Sequence, residues 1–407
     1  MYNLTERNLV LAVTGSIAIY KAVDLASKLT QAGANVDVVM TPEATGFISP
    51  ITFQSVTGRR VYWDMWDANS DIAEPHVALA RRAEMLVVAP ATATVIARLA
   101  RGLAEEMVSL TALATAAPLL VCPAMDANMF EHPATQENIK ILRGRGVHFV
   151  GPEEGRLASG QMGTGRLSEV ETIIGGIRYL FGANGDLAAK KVVVSAGGTH
   201  EPIDPVRFIG NNSSGKMGFA LAEAARDRGA RVVLVTGPAA LPDPYAVDVV
   251  RVQRAVEMRD AVVEHSADAQ VLIMAAAVAD YQPAEPIGEK IKRQDREGLT
   301  LSLVRTPDVL AEVNARPGLV KVGFAAESQD LLANAAHKLE AKNLDLIAAN
   351  DITAPHAGFA TDTNRVTLID RSGHQEELPL MSKYEVAWRI LDRVVGLLAA
   401  RIPGTGA

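Results

Sequence analysis

"NLVLAVTGSIAIYKAVDLASKLTQAGANVDVVMTP", residues 8–42, decides the fold. An apolar run of strand length ends at Gly15 and Ser16, an amphipathic segment follows as far as Gly33, and a second β-branched run closes the unit. Apolar residues at strand spacing, then at helical spacing, then at strand spacing again describe a βαβ unit. The pattern returns at residues 190–238, "KKVVVSAGGTHEPIDPVRFIGNNSSGKMGFALAEAARDRGARVVLVTGP". Further apolar runs, "MLVVAP", "PLLVCPA", "VLIMAAAVAD", "LVKVGFAAE" and "NLDLIAAND", alternate with helical stretches. That alternation calls for parallel sheets covered by helices on both faces. The reading is α/β, with two doubly wound Rossmann-like domains. The first spans residues 1–185 and the second 186–407, meeting in the small and polar stretch "FGANGDLAAKK" at 181–191.

Composition narrows the function classes. The chain has 407 residues, 48% hydrophobic and 21% charged, which suits an ordered globular protein of two to three domains. Its net charge of −7, with no dense Lys/Arg stripe, speaks against nucleic acid as a partner. No segment approaches the roughly 20 apolar residues that span a bilayer, so no membrane partner is expected. Cys122 is the single cysteine, which excludes an internal disulfide and a cysteine-rich metal site. With an N-terminus that runs straight into a glycine turn, this points to the cytoplasm.

Ligands of open α/β sheets collect beyond the carboxyl ends of the strands. In the first half those positions carry Gly15 and Ser16, then Thr41, then Ala91 and Thr92, with Ser109 nearby. Helix-start amides and small or hydroxyl side chains can receive a phosphate. The first turn lacks the third glycine of G-x-G-x-x-G and the acidic ribose reader, which favours a mononucleotide over NAD. His76 stands at a helix start, Asp126 and Met129 follow a strand, and Cys122 lies inside that strand as core. The stretch "GRLASGQMGTGRL", residues 155–167, reads as a phosphate cradle, a linker or a lid. In the second half "GNNSSGKM", 210–217, places Met217 where a phosphate loop needs Ser or Thr, which argues against that motif. Lys338 and Lys342 share one helix face; taken alone, such lysines are an ordinary solvated face.

His76 in "HVALARRAE", then "PATATVIARLARGLAEEMVS", "CPAMDANMF" and the glycine-rich stretch resemble, in order and spacing, the flavin-containing cysteine decarboxylases over residues 8–180. The resemblance implies a flavodoxin-like domain with FMN on the Gly15, Ser16, Thr41, Ala91, Thr92 and Ser109 loops. It also implies a site assembled between subunits of a trimer, and 4'-phosphopantothenoylcysteine as substrate. Loss of CO2 from an N-acylated cysteine leaves a carbanion that the amide nitrogen cannot delocalise; oxidising the thiol to a thioaldehyde first supplies an electron sink. His76 is then the base, a role suited to a group titrating near neutrality, and residues 155–167 are a flap. Two positions depart from the family pattern. Asp126 stands where the family has Asn, and Ser159 where it has the cysteine that donates the final proton.

The second half, through "SAGGTHEPIDPVRFIGNNSSGKMGFALAEAA", "MAAAVADYQPAE", "KIKR", "TPDVL", "GFAAES" and "KLEAKNLDLIAAND", is similar to the phosphopantothenate–cysteine ligases over residues 190–395. That resemblance implies CTP as co-substrate, an acyl-cytidylate, and displacement of CMP by the amine of cysteine. By the same resemblance Lys290 is catalytic and Asn211 handles the acyl-cytidylate. Lys338 and Lys342 meet the triphosphate, Asp280 holds Mg2+ or Mn2+ or a nucleotide hydroxyl, and Phe324 walls the base. Met274, Ala275, Ala276, Pro307, Asp308, Val309 and Leu310 complete the CTP contacts. Together the halves imply a bifunctional enzyme of coenzyme A synthesis acting on small molecules. Flavin-domain trimers and ligase-domain dimers would close into a homo-dodecamer. A flavoprotein domain that no longer decarboxylates, and a nicotinamide-dependent reductase, stand as alternatives.

Overall fold

The computed structural model describes residues 4–67, 70, 72–292, 299–313, 316–327, 331–351 and 361–401. It divides into two compact units, residues 1–178 and 179–407.

The first unit is built on a parallel sheet of β1 (Asn8–Val13), β2 (Asn35–Met40), β3 (Val61–Tyr62), β4 (Met85–Ala91), β5 (Leu119–Pro123) and β6 (His148–Phe149), in the order 3-2-1-4-5-6. This is the Rossmann order. The edge strand β3 has two residues, and without it the remaining five strands have flavodoxin order. Every residue of β4 is buried, as a strand covered by helices on both faces must be. Val10, Val88 and Val121 pack with Ile96, Val108 and Ile139 from the covering helices. After β6 the chain forms an antiparallel hairpin, β7 (Glu153–Arg156) and β8 (Met162–Arg166), and then the helix Val170–Gly182.

The second unit begins with β9 (Lys191–Ala196) and a small ribbon of β10 (His200–Pro202) and β11 (Phe208–Gly210). Next come β12 (Arg231–Thr236), β13 (Asp248–Arg251) and β14 (Val271–Met274), then a second ribbon, β15 (Tyr281–Pro283) with β16 (Leu303–Arg305). The chain continues through β17 (Val320–Glu327), β18 (Leu346–Asp351), β19 (Thr363–Asn364), β20 (Val366–Asp370) and β21 (Gln375–Glu377). The main sheet has the order 13-12-9-14-17-18-20-21. It is parallel as far as β18, after which β20 and β21 return antiparallel. The final helix, Lys383–Ala400, starts at a Ser382/Glu385 capping box. Tyr384 of that helix donates to Asp227 at 2.7 Å, and Asp227 is paired with the fully buried Arg226.

Candidate active sites

In the first unit the sheet changes winding direction between β1 and β4, so the turns after these strands diverge and leave a crevice. Thr14 closes its base: the hydroxyl donates to Pro90 O at 2.7 Å and accepts from Thr92 N at 3.2 Å. A Cβ on Gly15 would stand 2.7 Å from Glu43 Cβ, so glycine lets this turn lie against the one after β2. Gly15, Ser16, Thr41, Ala91 and Thr92 therefore share one crest. Ser16, Thr41 and Thr92 accept local amide hydrogens from Ala18, Ala44 and Val95. Each hydroxyl keeps its own proton to donate. Hydroxyl donors and helix-start amides on one crest are the donor set that an anionic mononucleotide requires, so these residues fit FMN. Ser109 is arranged differently. It is buried, and its amide and hydroxyl are both engaged by Glu106 at 2.9 and 3.2 Å, within a helix cap.

The glycine-rich stretch is the β7–β8 hairpin, closed by a turn in which Gly160 has φ +86°. Its second strand is seated on the corner after β5: Met125 N donates to Gly165 O at 2.9 Å. A Cβ on Gly165 would come within 2.2 Å of Met125 O, and one on Gly163 within 2.7 Å of Ala127 Cβ. At the tip, Ser159 Oγ donates to Asp126 Oδ2 at 3.0 Å, while Asp126 Oδ1 caps Asn128 N at 3.1 Å. The two departures from the family pattern are thus bonded to each other. Lys21, a buried lysine that the sequence did not single out, ties the exit of the hairpin by donating to Leu167 O at 3.0 Å and pairing with Glu169. His76 lies on a separate element, as second residue of the helix Pro75–Arg82. Burial pushes the Cys122 thiol well above its ordinary range, which removes it from acid–base work. Gly165→Ala should unseat the hairpin and lower decarboxylase turnover about 10²-fold by misplacing Ser159 and Asp126. Faster limited proteolysis between Leu157 and Gln161 would report the unseating, and wild-type turnover would contradict it.

In the second unit the winding change lies between β9 and β14, and a cavity of about 970 Å³ opens beyond their carboxyl ends. Met274, Ala275, Ala276, Asp280, Pro307, Asp308, Val309, Leu310, Phe324, Lys338 and Lys342 all line it, as does Asn211. The loop from Met274 to Asp280 is stitched in place: Ala276 N and Ala279 N donate to the hydroxyls of Ser195 and Thr199, and Asn211 donates to Val278 O at 3.0 Å. Gly198 makes the last contact possible, since a Cβ there would stand 2.7 Å from Asn211 O. Lys338 donates to Phe324 O at 2.7 Å, and Lys342 is paired with Asp308. Burial would raise the Asp308 carboxyl, but the Lys342 bond, the Ala311 amide and Lys338 together hold it below its ordinary range. Lys290 is exposed and is not among the lining residues. Among the described residues no three His, Cys, Asp or Glu side chains gather to hold a metal by themselves, and the wall carries two carboxylates, Asp280 and the Lys342-paired Asp308.

The sequence reading missed part of this wall. Residues 212–218 line the cavity, although they follow the ribbon strand β11 and not a central strand. Asn350, Asn364 and Lys383 line it as well. Burial lowers the affinity of Lys383 for its proton, and nearby Lys216 adds to this.

A family model for flavoproteins matches residues 1–182, and one for the DNA/pantothenate metabolism flavoprotein C-terminal domain matches residues 187–398. The coenzyme A biosynthesis bifunctional protein CoaBC of Bacillus subtilis (strain 168) is 46% identical over 398 residues, covering 97% of this chain and 98% of that protein. The chain belongs to the CoaBC family. Like its relatives in this family it is a bifunctional enzyme of coenzyme A biosynthesis, with a flavoprotein decarboxylase domain and a ligase domain. Among solved structures, the C-terminal domain of a CoaBC is similar at 39% identity, covering 53% of this chain and 99% of that one, with a TM-score of 0.45. A PPC decarboxylase mutant complexed with pantothenoylaminoethenethiol is similar at 29% identity, covering 43% and 98%, with a TM-score of 0.40. No helix among the described residues of this CoaBC family member is long and apolar enough to cross a membrane.

Proposed function

We propose that the second unit joins 4'-phosphopantothenate to L-cysteine with CTP, through an acyl-cytidylate, and that the first unit binds FMN and decarboxylates the product to 4'-phosphopantetheine. The observation that carries this is the convergence, on one cavity, of Asn211 and the nucleotide residues singled out from sequence, Lys290 excepted. A carboxylate is a poor electrophile and its attack on a triphosphate brings two anions together, so cations must face the reacting groups. Lys338 and Lys342 supply them, with Lys216 and Lys383 on other parts of the wall. A Mg2+ or Mn2+ ion shared by Asp280 and the triphosphate suits a site whose other lining carboxylate, Asp308, is taken up by Lys342, because Mg2+ is usually held by one or two carboxylates and substrate phosphates.

In the first unit, bound FMN supplies the two-electron chemistry that makes loss of CO2 feasible. The Thr41, Thr92 and Ser16 hydroxyls and neighbouring amides hold it, and a nitrogen of His76 takes the proton of the substrate thiol. The hairpin, held by Asp126 and Ser159, shields the reacting centre from water. Residues 1–185 and 186–407 form the two domains, active in the cytoplasm, with flavin-domain trimers and ligase-domain dimers closing into a dodecamer.

The test is to incubate the flavin-loaded protein with 4'-phosphopantothenate, cysteine and CTP, following pyrophosphate, CO2 and 4'-phosphopantetheine. All three should form, and CTP-dependent pyrophosphate release without CO2 would overturn the decarboxylase half. His76→Asn should stop CO2 release, by about 10²-fold or more, and leave pyrophosphate release intact.

A further inference from the structure

A second cavity of about 440 Å³ lies at the opposite rim of the ligase-unit sheet, against the amino ends of β17 and β18. Leu319, Lys321, Asn343 and Asp345 bring these strand starts to it, Arg371 follows β20, and Arg401 follows the final helix. Its charge is one-sided. Arg316, Lys321, Arg371 and Arg401 line it together with a single carboxylate, Asp345. That carboxylate is already committed: Oδ1 pairs with Arg401 at 2.5 Å and with Arg371 at 3.2 Å, and Oδ2 accepts from Lys321 N at 2.8 Å. Four cations against one carboxylate leave the lining with a net excess of three positive charges.

The cations are also held in place. Arg371 Nε donates to Leu344 O at 2.5 Å and its Nη2 to Asn343 O at 2.7 Å; Arg401 donates to Leu319 O; Arg316 Nη2 donates to Ser266 O at 3.0 Å. Backbone acceptors fix these groups without neutralising them. Arg316 Nε is buried and has no hydrogen-bond partner among the described residues, and a buried donor without an acceptor costs free energy. Lys321 is 5% exposed, with its ammonium on Lys342 O at 3.3 Å. Burial, and to a lesser degree Arg371, push its affinity for a proton down, with Asp345 opposing, so a second anion here would be favourable.

We infer that this cavity is a second anion site, distinct from the nucleotide cavity, that takes a phosphate group presented either as inorganic phosphate or as a phosphate monoester. Guanidinium forks at fixed positions match the oxygens of phosphate, and a cavity of this volume holds the group with part of what it is attached to.

The experiment uses the full-length protein and inorganic phosphate, at constant ionic strength, in an equilibrium titration followed by calorimetry. Two classes of phosphate site should be resolved. Lys338→Gln should weaken the class that belongs to the nucleotide cavity, and Arg371→Gln should weaken the other about tenfold or more while leaving CTP binding unchanged. Arg371→Lys, which keeps the charge but not the fork, should recover only part of the affinity, and Arg316→Gln should repeat the loss should Arg371→Gln fold poorly by circular dichroism. A phosphate monoester such as glycerol phosphate that competes for the Arg371-dependent class shows that the attached group is accommodated; failure to compete restricts the ligand to free phosphate and overturns the monoester arm. A single class of site lost in Lys338→Gln, or phosphate binding unmoved by both Arg371→Gln and Arg316→Gln, overturns the site.

Discussion

Lys290→Gln is expected to lower CTP-dependent ligation about 10²- to 10³-fold, in kcat, with decarboxylation of supplied 4'-phosphopantothenoylcysteine unchanged. The reason lies in where the lysines stand. Lys338 and Lys342 line the cavity beyond β9 and β14, so their charge is available to a bound ground state as well as to the reaction. Lys290 is exposed on the segment between β15 and β16, outside the lining. The backbone beside it is fixed, since Ile291 N donates to Asp204 Oδ2 at 3.1 Å and Arg207 bridges Asp204 and Ile291 O. A cation that stands outside the lining and meets the reacting groups only with substrate in place contributes chiefly as charge develops. Such a residue acts on kcat. Lys338→Gln should do the converse, raising the KM for CTP about tenfold with a smaller change in kcat. Steady-state rates from pyrophosphate release and from CO2 separate the cases. A Lys290 variant with raised KM and intact kcat, or one that loses both activities together, would contradict this assignment.

The contrast between these lysines also shows how far sequence carries. The βαβ units, the glycine turns and the strand-end loops were legible because apolar periodicity records which faces are buried, and because ligands of such sheets gather where the winding changes. The family resemblance supplied Met274–Ala276, Asp280, Pro307–Leu310 and Phe324, which line one cavity, while that principle pointed to Gly15, Thr41 and Thr92 on one crest. It could not place Asn364 and Lys383. These arrive through the antiparallel return after β18, and no spacing pattern records which loop such a return covers. Nor does any spacing pattern record the surroundings of Ser109, whose amide and hydroxyl hydrogen are both engaged by Glu106, the cap of its helix. The Asp126–Ser159 bond joins residues 33 apart in sequence, and only the close seating of Gly163 and Gly165 on the corner after β5 brings them together.

That bond gives the second large expectation. Ser159→Ala removes the only hydroxyl of the hairpin tip that reaches Asp126, and should lower decarboxylation about 10²-fold with ligation untouched. Ser159→Cys distinguishes a proton donor from a latch. A thiol has an ordinary pKa of about 8.5 and a serine hydroxyl does not titrate in the working range. An acid works in its protonated form, so a cysteine donor is active below its pKa and loses activity as pH rises through it. Next to Asp126 the negative charge disfavours the thiolate and moves the limb upward. If residue 159 donates the final proton, the Ser159→Cys rate should fall above about pH 8.5 while the wild-type rate shows no such limb. If Ser159 only holds the hairpin against Asp126, the cysteine variant, with its weaker hydrogen bond, should be slower than wild type even below the limb, where a donor cysteine, the stronger acid, should at least match it, and Asp126→Asn, which keeps an acceptor oxygen, should retain most of the wild-type rate. Measuring CO2 release from pH 6 to 10 in the three variants decides between them: ionisation of the thiol removes a latch as well as a donor, so the rate on the plateau below the limb, and not the limb itself, tells which role residue 159 plays.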